Sequence, residues 1–457
     1  RVTRMMTKVQ SSEGRSRVPK VLGPLPGPKA KEVLEREKNF VSGSHTKGYP
    51  LVADHGEGCF LWDVDGNCFL DFASGIAVNL LGHNHPRVNE AVAAQMKKLV
   101  HYSAADFYYE PYGLLCERLA KLCPGDSPKK VFLSNSGTEA VECAIKLARY
   151  HTSRQHLIAF LGCFHGRTLG SLSLTSSRAV QRQGFGPMLG GVTHIPYPNT
   201  YHDHDLDSID FLENVLFQRM IPPSDVAAII FEPIQGEGGY LVMPPEDIKR
   251  IRRICDKHGI LMIADEVQSG MGRTGKNLCM EHYGVEPDII TLAKGIANGL
   301  PLGATIARSH VMDWAAGAHT STFGGNPVAC VASLAVLNEL ENGVLENCRR
   351  TGAFLMEKLK ALADKHPLIG DVRGKGLMIA VEMVRDRKTK EPATAERDRV
   401  IERAFQNGLL LIGCGFTGFR IVPPLILSER EAQIGIDILD HVFSEIESTS
   451  SKKQASP

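Results

Sequence analysis

Short apolar runs separated by amphipathic stretches dominate the middle of the chain. Those at 130–133, 157–160, 192–195, 227–231, 260–264, 289–292 and 303–307 have the length of buried strands and end on small or polar residues. Between several of them apolar positions recur with helical period, as at 139–150 and 246–258. Strands alternating with helices predict an α/β fold whose mostly parallel, seven-stranded sheet is covered on both faces. Upstream, a short charged helix is expected at 30–39. The stretch 51–72 alternates and turns at Asp65-Gly66, a hairpin signal, before an amphipathic helix at 87–99. Downstream the texture changes to long helices at 328–342 and 345–365 and a strand pair, 377–383 with 408–412. A last helix opens on Ser428-Glu429-Arg430-Glu431, the pattern of a capping box. This predicts a smaller α+β domain that the N-terminal arm joins. The expected divisions are a disordered tail at 1–23, an arm and hairpin at 24–80, a large domain at 81–327, the small domain at 328–447 and a second disordered tail at 448–457.

Composition narrows the class. With 457 residues, 43 % hydrophobic and 23 % charged, the chain has ample material for a large core. A net charge of +1 gives no electrostatic reason to expect nucleic acid or an anionic membrane as partner. No uninterrupted apolar run approaches eighteen residues, so no transmembrane helix is expected. Eleven scattered cysteines, none in a C-x-x-C pair, read as reduced thiols of a cytoplasmic protein rather than a zinc or disulfide framework. The basic first twenty residues lack an apolar segment and read as a frayed tail, not a secretory signal.

The chemistry concentrates at 260–295. One apolar run ends on Asp265 and Glu266, and the next is followed by Lys294. In an open α/β sheet, ligands sit beyond the carboxyl ends of the strands, so neighbouring strands would present an acid and an amine to one crevice. Pyridoxal phosphate (PLP) needs that pairing, a lysine for the imine and an acid for the ring nitrogen. A buried Asp–Lys ion pair of purely structural purpose is the alternative. Ser136, Gly137 and Thr138 join a strand to a helix, which suits either a phosphate or an ordinary helix cap. Phe164-His165-Gly166-Arg167 follows the next strand and offers an aromatic face and a guanidinium. The glycine-rich loop at 232–239 carries Glu232 and Glu237.

Three other patterns carry less. Gly413-Cys414-Gly415-Phe416-Thr417-Gly418 matches the dinucleotide fingerprint, but Pro423-Pro424 denies it the helix that motif requires. His202-Asp203-His204-Asp205 reads as a solvated turn. His83 and His85, in Gly82-His83-Asn84-His85-Pro86, have no third metal ligand at a suitable spacing.

Taken together, SGTEA at 136–140, FHGR at 164–167, EPIQGEGG at 232–239, DEVQSGMGRTG at 265–275, LAKG at 292–295 and STFGGNP at 321–327 resemble the class III, fold-type I PLP-dependent aminotransferases. The resemblance runs from about residue 25 to 445. It implies a homodimer with a shared active site. Lys294 would carry the cofactor and move the substrate proton, and Asp265 would face the pyridinium nitrogen. Gln268 would bond the ring hydroxyl, and Phe164 and Val267 would sandwich the ring. His165 and Glu232 belong to the same cofactor shell. Ser136, Gly137 and Thr138 would hold the phosphate, with Thr322 reaching it from the other subunit.

For substrates, the resemblance implies Arg420 for an α-carboxylate, Arg167 for a distal one, and Glu237 as the acid that neutralises Arg420 when an ω-amine enters. Ornithine-specific members place tyrosine where this chain has Ile76, as in bacterial 4-aminobutyrate enzymes. The expected reaction is ping-pong transfer from a 4-aminobutyrate-like ω-amino acid to 2-oxoglutarate. An amino-acid racemase of the same family and an ornithine or acetylornithine aminotransferase are the alternatives.

Overall fold

The computed structural model describes residues 17–202 and 207–454. The seven short apolar runs form one sheet in the order Lys129–Ser134, Gly303–Arg308, Ile289–Leu292, Leu261–Asp265, Val226–Phe231, His156–Phe160, Val192–Ile195. Four neighbouring pairs are parallel, and Gly303–Arg308 runs antiparallel to both its neighbours. Val226–Phe231 is buried at every position, as a strand covered on both faces must be. The helices Gly137–Thr152 and Pro245–His258 supply that cover. The second ends on Gly259, whose φ of 63° closes it in a left-handed cap.

Flanking this layer, Ile369–Lys375, Met378–Asp386, Gly418–Ile421 and Ile412–Cys414 make a smaller, antiparallel sheet. The helices Leu345–Lys365, Thr394–Gln406 and Glu429–Gln454 pack on it and on one another. Ser428 and Glu431 exchange the reciprocal bonds of a capping box at the start of the last helix. The strand expected at 408–412 divides. Leu409–Leu410 pairs in parallel with Cys68–Asp71, and Ile412–Cys414 pairs with Gly418–Ile421, the strand that lies beside Met378–Asp386. The break falls at Leu411, whose carbonyl accepts from the Tyr49 hydroxyl at 3.0 Å instead of from a strand. The segment read as a false dinucleotide motif is therefore a hairpin.

The N-terminal stretch is a three-stranded meander, Ala53–Glu57, Phe60–Asp63 and Cys68–Asp71, with a turn at Gly58 in addition to the one at Asp65-Gly66. Both expected tails are shorter than predicted. Lys20 exchanges backbone bonds of 2.8 and 2.9 Å with Cys68, because that strand edge has unpaired groups to satisfy. The last helix continues to Gln454. Residues 1–16 and 455–457 lie outside the described residues, as do Asp203, His204 and Asp205; His202 bonds Glu382. Within Pro327–Lys365 one window, of mean hydropathy 1.4, is long and apolar enough by composition to cross a membrane. Pro327–Lys365 is broken at Gly343 (φ 109°), and its first helix, Pro327–Glu339, packs on Pro86–Lys98 and Glu110–Leu122.

Candidate active site

Leu261–Asp265 and Ile289–Leu292 lie side by side in parallel with Asp265 opposite Thr291, so Asp265 and Lys294 leave the sheet at the same edge. They open on a cavity of about 400 Å³. Asp265 is 3 % exposed, and every bond it makes fixes its direction. One oxygen accepts from the Val267 N–H at 3.0 Å and the Thr291 hydroxyl at 3.1 Å; the other lies 2.7 Å from His165 Nδ1. Its neighbour Glu266 turns the other way and accepts the backbone N–H groups of Cys279 and Met280 at 2.5 and 2.9 Å. The two adjacent acids are thus separated by the pleat, and Asp265 is the one that lines the cavity.

Lys294 sits in a left-handed backbone conformation, φ 46°, at the start of a short 3₁₀ turn. Burial lowers the pKa of its ammonium, against the pull of Asp265, Glu232 and Glu237, and Arg420 adds to the lowering. The turn is tied down by Asn298, whose amide oxygen accepts from Leu81 N–H at 2.7 Å and whose amide nitrogen donates to the Gly82 carbonyl at 3.1 Å.

The far end of the cavity is the N-terminus of the Gly137–Thr152 helix, flanked by Ser136, Gly137 and Thr138. Ser136 does cap the helix: its Oγ accepts from Glu139 N–H at 3.3 Å, and Glu139 returns a bond to Asn135 N–H at 3.0 Å. The first N–H groups of a helix have no partner within it, so capping and anion binding coexist here. Gly137 lies against Val267, and a Cβ at 137 would stand 2.8 Å from Val267 Cγ1. Gly137→Ala is therefore expected to weaken PLP binding about tenfold or more, by overpacking of this wall. Titrating the apoenzyme with PLP reads this directly; unchanged affinity would mean that the wall yields.

Phe164, His165 and Arg167 form one side. The Arg167 guanidinium stands 5.4 Å over the Phe164 ring, and Phe164 N–H donates to Glu232 at 2.9 Å. Burial pushes Glu232 up to about 8; the His165 charge opposes the shift and Asp265 reinforces it. His165 is raised well above its ordinary value despite burial, which works the other way, because Cys163 and Asp265 stabilise its proton.

Beside the cavity, Arg420 pairs with Glu237, Nη2 to Oε1, at 2.7 Å. Glu237 is lowered although burial raises it, because Arg420 lies against it. The guanidinium, 3 % exposed, also donates to the Gly413 carbonyl and approaches Gln268 Oε1 at 3.5 Å. Gln268 Oε1 accepts from the Tyr240 hydroxyl at 2.7 Å.

Two expected residues stand apart in a single chain. Thr322 is exposed, and Ile76 is 43 % exposed; neither lines the cavity. His83 and His85 face different carboxylates, Asp71 at 2.9 Å and Glu339 at 3.8 Å. Sequence reasoning missed Thr291, although a threonine within an apolar strand at the register of Asp265 was a signal. It also missed Tyr240, Val78 and the wall at 300–302, which no local pattern marks.

The donor set fits PLP: a helix N-terminus for a phosphate, the apolar Phe164 and Val267 for a ring, an acid and an amine all line one cavity. Comparison with known proteins agrees. Residues 42–443 match the aminotransferase class-III family. The chain is 43 % identical to the 4-aminobutyrate aminotransferase of Escherichia coli, covering 91 % of this chain and 98 % of that one. It is 38 % identical to the isoleucine 2-epimerase of Lentilactobacillus buchneri, over 92 % and 96 % of the two chains. The crystal structure of an amine transaminase from an uncultivated Pseudomonas species, in its PLP-bound form, superposes with a TM-score of 0.82 at 33 % identity, over 90 % of this chain and 99 % of that one. The chain belongs to the class III aminotransferases, enzymes that depend on pyridoxal 5′-phosphate.

Proposed function

We propose that this enzyme transfers the amino group of an ω-amino acid of the 4-aminobutyrate type to 2-oxoglutarate, in two half-reactions at one site. The observation that carries this reading is the Glu237–Arg420 pair, joined through Gln268 to the cavity that Arg167 lines. An ω-amino donor brings one carboxylate, which Arg167 takes, while Glu237 keeps Arg420 neutralised. A dicarboxylic keto acid brings two, and its second carboxylate replaces Glu237 on Arg420. A buried guanidinium without either partner would cost roughly 3–5 kcal/mol, so the exchange keeps both half-reactions open.

Bound PLP supplies a conjugated ring that accepts the electron pair left when a substrate C–H proton departs. Asp265, steadied by His165, Thr291 and Val267, holds a proton at the ring nitrogen and so keeps that ring electron-poor. Lys294, its ammonium pKa lowered by burial, is the amine that would hold the cofactor and would take and return the substrate proton. Phe164 and Val267 would exclude water from the ring faces.

Glu237→Gln is expected to lower kcat/KM for the ω-amino donor at least about tenfold, by leaving Arg420 buried without a charge partner. The keto-acid half-reaction should be retained. Since Arg420 holds the Glu237 pKa below its ordinary 4.5, the pair is complete above that pH and is lost only as pH falls through the lowered value. Donor selectivity should therefore be constant from mildly acid to neutral pH.

Exposed Tyr102, Phe107, Tyr108 and Phe323 support a homodimer, in which the exposed Thr322 would reach the partner's site. A panel of 4-aminobutyrate, 5-aminovalerate, ornithine and N-acetylornithine with 2-oxoglutarate, scored by glutamate formed, tests the reading. It fails if α-amino acids exchange Cα hydrogen for deuterium and racemise while no donor yields glutamate. That outcome would make the chain an isomerase, like its epimerase relative.

A further inference from the structure

Tyr240 holds its backbone in the left-handed region, φ 52°, and is fully buried. A residue with a Cβ keeps that conformation only where its surroundings impose it, and such strain gathers at functional sites. Here the end of the glycine-rich loop imposes it. Ile234–Gln235 pairs with Leu241–Val242 in a short hairpin, and Gly239 (φ 118°) and Tyr240 turn the chain back into it. Arg373 pins the turn, donating to the Gly239 carbonyl from Nε at 3.0 Å and from Nη2 at 2.6 Å. Asp371 and Glu382 hold Arg373 in place, at 2.9 and 2.5 Å from its Nη1. The Tyr240 ring comes to rest with the Arg420 guanidinium 5.8 Å from its centroid.

The ring delivers a hydroxyl to Gln268. Tyr240 OH donates to Gln268 Oε1 at 2.7 Å, and Arg420 Nη1 approaches the same oxygen at 3.5 Å. A guanidinium has no acceptor, so the atom turned toward it has to be the amide oxygen. The Tyr240 hydroxyl, which meets that oxygen too, is then a donor. With Oε1 engaged, the polar group left to Gln268 is Nε2, which has no partner among the described residues. A Cβ at 236 would stand 2.4 Å from Nε2, so Gly236 leaves the amide its room. Gln268 lines the cofactor cavity together with Asp265 and Lys294. An N–H donor there suits an oxygen that carries negative charge, and PLP has one on its ring.

We propose that Tyr240 is a positioning residue for the cofactor. By holding the Gln268 oxygen, it fixes the amide so that the N–H group serves the ring oxygen of PLP. The inference rests on the chain's dependence on PLP and is indifferent to which amino acid the enzyme converts.

That ring oxygen shares a proton with the nitrogen of lysine-linked PLP. A donor to the oxygen favours its charged form, so the near-visible absorbance of the link titrates at lower pH. In PLP-loaded Tyr240→Phe, which keeps the buried ring and lacks only the hydroxyl, this titration should move up by about half to one pH unit, the scale of one weakened hydrogen bond to an ionised group. Gln268→Leu should move it up by about one unit, and Tyr240→Phe added to Gln268→Leu should move it no further, because Tyr240 acts through that amide. A purely structural role would lower thermal stability and leave the titration where it was. The titratable groups around Tyr240 are Arg420, Cys414, Arg273 and Glu237, and Asp265 and Glu232 join them around Lys294; the substitution leaves all of them in place. An unmoved or lowered titration in Tyr240→Phe, or a further rise in the double variant, overturns the proposal. Loss of PLP from Tyr240→Phe does so as well, since the turning of one amide cannot account for the whole hold on the cofactor. Should Tyr240→Phe give no soluble enzyme, Tyr240→Met, which also lacks the hydroxyl, is read against the same outcomes.

Discussion

Replacing Lys294 with alanine is expected to abolish the near-visible absorbance of lysine-linked PLP and to lower turnover by at least about 10³-fold, the range of a lost acid–base group at the reacting carbon. No other amine is placed to substitute among the described residues that line the cavity. Arg167 lines it too, but a guanidinium stays protonated and cannot attack a carbonyl. Added small amines should restore a fraction of turnover to this variant and none to the parent, since they replace the missing base without its positioning. Retention of the absorbance band would show that the covalent link lies elsewhere.

The second large effect belongs to Asp265. Asp265→Asn preserves the volume and keeps an oxygen for the Val267 and Thr291 bonds, but removes the charge that would face the ring nitrogen. We expect turnover to fall about 10²–10³-fold while PLP still binds, the cost of losing a preorganised charge at the reacting ring. The same substitution should alter the pH profile. In the parent, burial lowers the His165 pKa but Cys163 and Asp265 raise it further, so the imidazole holds its proton to higher pH than an ordinary histidine. Its contribution to stability is complete below the ordinary value of 6.5 and is lost only as pH rises through the raised value. Without the Asp265 charge, one of its two supports is gone, and His165 should release its proton at lower pH. Turnover of the variant should then decline over a pH range where the parent is flat, and coincident profiles would count against the pairing.

Much of this arrangement is legible in the chain because it obeys local rules. Seven mostly apolar runs read as strands since burial on both faces leaves few polar positions in the central ones, and all seven appear in the sheet. Asp265 and Lys294 could be brought together because each follows such a run and parallel neighbours end at the same edge. What escaped depends on contacts between distant segments. The divided strand at 409–414 turns on a bond from Tyr49, which no local periodicity reports. The docking of Lys20 requires knowing which edge of Cys68–Asp71 is open. Tyr240 reaches Gln268 across the glycine-rich loop, and the left-handed run at 74–77 carries only one glycine to announce it. In each case side chains or backbone groups far apart in the chain settle a conformation that the local residues would not choose.

The pairing of Leu409–Leu410 with Cys68–Asp71 also has a consequence for how the molecule is made. The N–H groups of Leu70 and Phe72 bond the carbonyls of Gly408 and Leu410 at 2.8 and 3.1 Å. A chain emerging from its N-terminus therefore carries an unfinished strand edge until nearly all of it has been synthesised. Such late closure slows folding and leaves a template for wrong pairing in the meantime. Asp71 lies on that strand and accepts the N–H groups of Ala73 and Ser74, so the left-handed turn at 74–77 cannot be set before the distant partner arrives. Chains stopped short of Leu411 should accumulate as aggregates even when the entire cofactor-binding layer is present. The segment that is synthesised early is among the last to be completed.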